Sequence, residues 1–234
     1  MNEASVPVVS AIELLRTQSL SALAQREIER MIVAGELRAG ERVNENSLAA
    51  KLGISRGPIR EACRALAQAG LLDAFVNRGV FVRRLELEEA GELYDIRASL
   101  AGLVGRSLAP VVTEQQIAGL ASLVERMADA AAADDVDTYY PVNLEFHDRL
   151  VEHCGQRRLA ALYRSLAKEL SLFRQTGLTQ PGNLVISNAE HRAILDAVRA
   201  RDPRRAADAM VSHVDNAKRR MLKAVAAQGV RGSS

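Results

Sequence analysis

The sequence predicts a mostly α protein in two parts: an N-terminal winged helix-turn-helix with a small β-hairpin wing, then an all-α antiparallel helical bundle. Three observations carry this prediction. Ala and Leu are abundant and aromatics make up 3% of 234 residues, a balance that favours helices because Ala and Leu lose little entropy in them. Three short helical patterns are followed by two apolar runs around Asn77-Arg78-Gly79, which read as a hairpin. From residue 85 onward the apolar residues recur at helical spacing, with no comparable strand signal.

Residues 1–18 lack clean periodicity and read as a flexible arm before a domain spanning 19–84. The first helical pattern runs through Leu20, Leu23, Ala24, Ile28, Met31 and Ile32, and Gly35 stops it at a left-handed cap position. Asn44 is the expected N-cap of a second short helix with Leu48, Ala49 and Leu52 inward. Gly53 breaks the chain. Ser55 opens a third helix that places Pro58 in its first turn, where a missing N–H is harmless, and turns Ile59, Ala62, Cys63 and Leu66 inward. The hairpin completes the order of a winged helix-turn-helix.

A second domain is expected over 85–228, with helices near 86–109, 113–133, 135–154, 156–176, 183–201 and 203–226. Asp202-Pro203 is a natural N-cap followed by proline at the first helical position. An antiparallel bundle is the default architecture for such a series.

Net charge is +2, too small to indicate a nucleic-acid partner by itself. Its distribution says more: residues 53–84 hold six Arg against two acids. Arg56, Arg60 and Arg64 share one face of the third helix, opposite its apolar face. Such a face suits a DNA major groove, where Arg pairs with guanine or grips phosphate; a solvated basic face fits the spacing equally well. Cys63 and Cys154 make no metal or redox spacing, and no apolar run is long enough to span a membrane. A reduced cytoplasmic protein with no membrane association is expected.

Gly53-Ile-Ser-Arg-Gly-Pro-Ile-Arg-Glu-Ala62, flanked by Leu37–Glu45 and by Ala69-Gly70-Leu71-Leu72 with Asn77-Arg78-Gly79, resembles the helix-turn-helix signature of the GntR family of bacterial regulators. The resemblance implies double-stranded operator DNA as partner, with Ser55, Arg56 and Arg60 as principal contacts. Gly57 and Pro58 would lie close to the DNA backbone, and Arg78 and Gly79 at the wing tip would approach an adjacent groove.

Three of the four histidines, His147, His191 and His213, fall on separate bundle helices, with Asn143 one turn before His147. Spacing alone leaves open a divalent metal site or ordinary structural histidines. Asn143–Leu150, Glu190–Ile194 and Met210–Val214 resemble the FCD effector domain of the FadR branch of the same family. That resemblance implies a divalent metal, zinc or nickel, held by Asn143, His147, His191 and His213. Asn143 stands where Asp is usual and brings no charge to the site. Glu92–Ala101 is similar to the branch's first bundle helix, which implies that Arg97 pairs with a bound ligand's carboxylate; a surface Arg paired with Glu92 or Asp95 is the other reading of the spacing. The expected protein is a homodimeric repressor, not an enzyme, whose operator affinity follows a small carboxylate effector. A metal-dependent enzyme with a DNA-binding appendage, or a regulator whose metal is only structural, are the alternatives.

Overall fold

The computed structural model describes residues 8–172, 178 and 182–231. The chain divides into two compact units, Met1–Leu85 and Glu86–Ser234. The first contains α1 (Val8–Val33), α2 (Glu45–Leu52), α3 (Arg56–Gln68), β1 (Leu72–Phe75) and β2 (Gly79–Val82). The second contains α4 (Leu87–Leu108), α5 (Glu114–Ala132), α6 (Val136–His153), α7 (Arg157–Glu169), α8 (Asn183–Arg199) and α9 (Pro203–Arg231).

In the first unit α1 and α3 pack together over Ile28, Met31, Ile32, Ile59, Ala62, Cys63 and Leu66, all buried. The Asn44 side chain caps α2 by accepting from the amides of Asn46 (3.1 Å) and Ser47 (3.0 Å). Gly53 closes that helix at φ 64°, and Gly35 follows α1 at φ 73°. The antiparallel hairpin pairs Leu72 with Val82 and Phe75 with Gly79. Residues 40–43 run along β2, through Gly40 N–H to the Val82 carbonyl and Val43 N–H to the Val80 carbonyl, both 2.8 Å.

Three expectations need correction here. The arm over 1–18 is helical from Val8 onward, part of α1, and its first seven residues lie outside the described ones. Leu23 is 54% exposed and not inward, because a helix presents its core face through a limited arc and Ala24 and Ile28 already fill it. Val76, read as the end of a strand, sits in the wing turn and is 87% exposed.

The bundle helices match their expected spans within a few residues, except that α7 ends at Glu169 and residues 173–176 of its expected run lie outside the described ones. Thr113 forms a capping box with Gln116 on α5, and Asp202 Oδ1 accepts from the amides of Arg204 and Arg205 at 3.0 Å. Helix α4 lies along α9 at unusually close range. A Cβ built on Gly105 would stand 2.5 Å from the Ala206 carbonyl oxygen, so no side chain fits there without moving backbone. This contact brings α4 and α9 to the same interior as α6 and α8.

That interior is polar. Arg97, Asn143, His147, Ser187, Asn188, His191 and His213 are all buried, and all belong to the bundle. Buried polar groups are costly unless bonded, so such a cluster in a small bundle points to a site.

Candidate functional site

Helix α6 supplies Asn143 and His147 one turn apart, α8 supplies His191, and α9 supplies His213. The three imidazoles converge: His147 Nε2 is 3.1 Å from His213 Nε2 and 3.3 Å from His191 Nε2. One ligand nitrogen from each ring lies within 4.8 Å of the others. A tetrahedral ion with metal–nitrogen bonds of about 2.0–2.1 Å sets its ligand nitrogens roughly 3.3 Å apart. The His147–His213 and His147–His191 pairs therefore already stand near the spacing that such an ion requires.

The far side of each ring supports the same reading. His213 Nδ1 is 2.8 Å from Glu190 Oε2, and His191 Nδ1 is 3.3 Å from the Tyr139 hydroxyl. With Nδ1–H given to the carboxylate, His213 turns the Nε2 lone pair inward, as a metal ligand must. Burial pushes the His213 pKa down against the pull of Glu190, which keeps the ring neutral. A single hydrogen on His147 Nε2 serves one neighbouring lone pair and not two, whereas a divalent cation serves all three rings at once. Asn143, one turn before His147 on the same buried face, can offer its amide oxygen, without the negative charge of an Asp.

Glu190 anchors this arrangement. Its carboxylate accepts from Arg220 Nη1 and Nη2 at 2.7 and 2.9 Å and from Asn216 at 2.9 Å. Burial alone would raise its pKa, but the hydrogen bonds from His213 and Arg220 bring it down to about 2. The Tyr139 hydroxyl, also bonded to Ser187, is pushed up to about 12 by burial and stays protonated.

Beside the histidines is a small cavity of about 30 Å3, partly open to solvent and lined in part by Arg97, Asn143, His147, His213 and Arg220. Arg97 is 2% exposed, so it is not the surface residue that its neighbours Glu92 and Asp95 allowed; Asp95 pairs with Lys218 instead. Its Nη2 donates to the Tyr163 hydroxyl at 3.0 Å, while its buried Nε has no hydrogen-bond partner. An almost wholly buried guanidinium with an open N–H beside this cavity has the charge and the free donor that an anion would satisfy.

In the first unit, Arg56 begins α3 and Arg60 lies one turn on, both exposed. Ser55 occupies the N-cap position, but its side chain makes no cap bond, which leaves the hydroxyl available. Gly57 is exposed, whereas the Pro58 side chain is buried in the domain, so at that position only backbone faces outward. Arg60 stands 3.8 Å from Glu45, and Arg64 pairs with Glu61 at 2.6 Å. Arg78 at the wing tip stacks over Phe75 at 5.5 Å.

A groove between α3, the start of α2 and the wing is lined by Arg42, Asn44, Arg56, Arg60 and Gly79, among others. Sequence reading missed Arg42. It belongs to the strand-like segment beside β2, and its guanidinium lies where a Cβ on Gly79 would come within 3.1 Å of Nε. Gly79 itself sits at φ 101°. The backbone conformation there favours glycine, and a side chain would also displace the Arg42 guanidinium by a few tenths of an ångström.

Residues 20–82 match the model of the bacterial regulatory proteins of the gntR family, and residues 92–216 match the FCD domain. The chain belongs to the GntR family. It is 32% identical over 184 residues to a probable D-xylose utilization operon transcriptional repressor of Paenarthrobacter nicotinovorans, covering 78% of this chain and 80% of that one. It is 29% identical over 191 residues to the HTH-type regulator YdhC of Bacillus subtilis, covering 81% and 85%. Among solved structures, E. coli McbR/YncC shares the fold with a TM-score of 0.77 at 20% identity, covering 87% of this chain and 97% of that one. This GntR chain is thus a transcriptional regulator with an FCD domain, and its relatives are regulators and not enzymes. Consistently, Glu145 and Asp148, the acids flanking His147 in sequence, are spent on surface pairs with Arg149 and Arg164. Among the described residues no helix is long and apolar enough to cross a membrane.

Proposed function

We propose that this regulator is a homodimeric, operator-binding repressor released by a small carboxylate that enters the cavity beside His147, His191 and His213. The observation that carries the reading is the buried Arg97, its Nε without a partner, in the same cavity as two of the three converging histidines. A carboxylate satisfies that donor and neutralises the guanidinium; an uncharged sugar would leave a buried charge uncompensated.

Asn143, His147, His191 and His213 would hold a divalent ion, with zinc or nickel suited to imidazole nitrogen. When bound, such an ion would supply positive charge beside Arg97 and could take a ligand oxygen as a fifth ligand or in place of Asn143. The chain's own residues do the rest. Glu190 and Tyr139 fix the rings, Arg97 orients the carboxylate, and Arg220 keeps Glu190 ionised. Arg97 also sits on α4, which four residues separate from β2. A ligand that favours one position of α4 over another biases the wing attached to it, and in a dimer that changes the spacing of two recognition helices. Ser55, Arg56, Arg60, Arg78 and Gly79 are the groups proposed to meet DNA.

The test measures affinity for the DNA upstream of the protein's own gene, at fixed salt, while small organic and sugar acids are titrated into zinc- or nickel-loaded protein. Release of DNA by one acid in the wild type, absent in Arg97→Met, supports the proposal. Unchanged affinity across the acids, with the metal shown to be bound, would leave the metal a purely structural role.

A further inference from the structure

Helix α4 carries two apolar faces. One is buried in the bundle through Ala90, Tyr94, Ala98, Ala101, Val104 and Leu108. The other is Leu93, Ile96, Leu100 and Leu103, at the 3-4-3 spacing of a coiled-coil seam. Ile96 is 51% exposed and Leu103 43%, on a helix that is otherwise well packed. Beside this seam runs a single column seven residues apart: Glu92, Ser99 and Arg106, all exposed. Neither Glu92 nor Arg106 has an ion partner among the described residues, although Asp95 on the same helix does.

We infer that the Leu93–Leu103 seam of α4 is a homodimer interface in which two α4 helices cross antiparallel about Ser99. The column supplies the argument for a second copy as occupant. Charges of opposite sign stand equidistant from a small central residue, so reversing the helix lays Glu92 on the partner's Arg106 and Arg106 on the partner's Glu92. Ser99 then meets the partner's Ser99, where its small side chain permits close approach. Positions flanking the seam on one side pair with their own kind in an antiparallel arrangement, which makes the patch self-complementary, as a two-fold interface must be. In a parallel pair the same column would not bring Glu92 to Arg106. Glu92 and Arg106 are about 21 Å apart along the helix, so neither charge can satisfy the other within one chain.

The inference rests on the dimeric reading of the regulator but is separable from it. Sedimentation equilibrium on the full-length chain gives the dimer dissociation constant for the wild type, Glu92→Arg, Arg106→Glu, the double charge reversal, and Ile96→Asp with Leu103→Asp. Circular dichroism confirms that each variant is folded. Each single reversal creates two like-charged contacts across the axis and should weaken the dimer about tenfold. The double reversal should restore it to within about twofold of the wild type. The paired Asp variant should weaken it more than about a hundredfold. A dimer indifferent to every variant places the interface elsewhere and overturns the inference while leaving the dimeric reading intact. Dissociation by the Asp variant alone, with both single reversals silent, overturns the antiparallel register. A wild type that is monomeric at every concentration overturns both.

Discussion

The two units use the same side chain in opposite regimes. Arg56 and Arg60 stand exposed on α3, Arg60 at 3.8 Å from Glu45. Arg97 and Arg220 lie in the bundle, the first 2% exposed and the second locked bidentately to Glu190. In water a charge is cheap and weakly felt; in the interior it is expensive and strongly coupled to its neighbours. The exposed set is therefore suited to a large polyanion met reversibly and in salt. The buried set is suited to one small anion that must fit.

The sharpest way to break this comparison is Glu190→Gln. It leaves Arg220 buried without its counter-charge and His213 without its orienting carboxylate, and should cost about 3–5 kcal/mol of folding stability. Urea denaturation measures it; a loss under about 1 kcal/mol would show that the interior is wetter than its burial implies.

The pH dependence of the wild type follows with a similar but smaller effect. Glu190 titrates from 4.5 when unfolded to about 2 when folded, so its contribution is complete above pH 4.5 and disappears as pH falls toward 2. Stability should fall by about 3 kcal/mol across that window from this group, and Glu190→Gln should flatten the profile there.

On the DNA side, Arg56→Ala should weaken operator binding by about 1–3 kcal/mol in a fluorescence anisotropy titration. Stability should stay within about 0.5 kcal/mol, because no packing or buried charge is touched. Equal losses of binding and folding would put Arg56 in the same regime as Arg97.

The smallest effect sharpens the map. Arg42 lies across Gly79 in the groove shared with Arg56 and Arg60. Arg42→Ala should weaken binding to a duplex of mixed sequence and reduce the slope of log affinity against log salt by about one. An unchanged slope would remove Arg42 from the phosphate contacts.

How far these two sites could be read from sequence differs for the same physical reason. Asn44, Gly53, Asp202 and the face of α3 are set by residues within one turn, so local pattern suffices. The three histidines were legible as one per helix because the bundle order was. Glu190 was not singled out, since its role depends on Arg220 and His213 meeting it from α9. Arg97 was open between surface and interior because the pairing of Asp95 with Lys218, 123 residues away, decides it. Arg42 escaped notice because its value comes from lying beside a glycine on a different strand.

If the buried centre controls the exposed one, each must feel the other equally. The decisive measurement is the dissociation constant of the effector acid, by calorimetry, with and without saturating operator DNA. Binding at least about fivefold weaker with DNA present is the result expected of a ligand-released repressor. Identical constants would mean that the two sites are independent and that the histidine centre does not govern DNA binding.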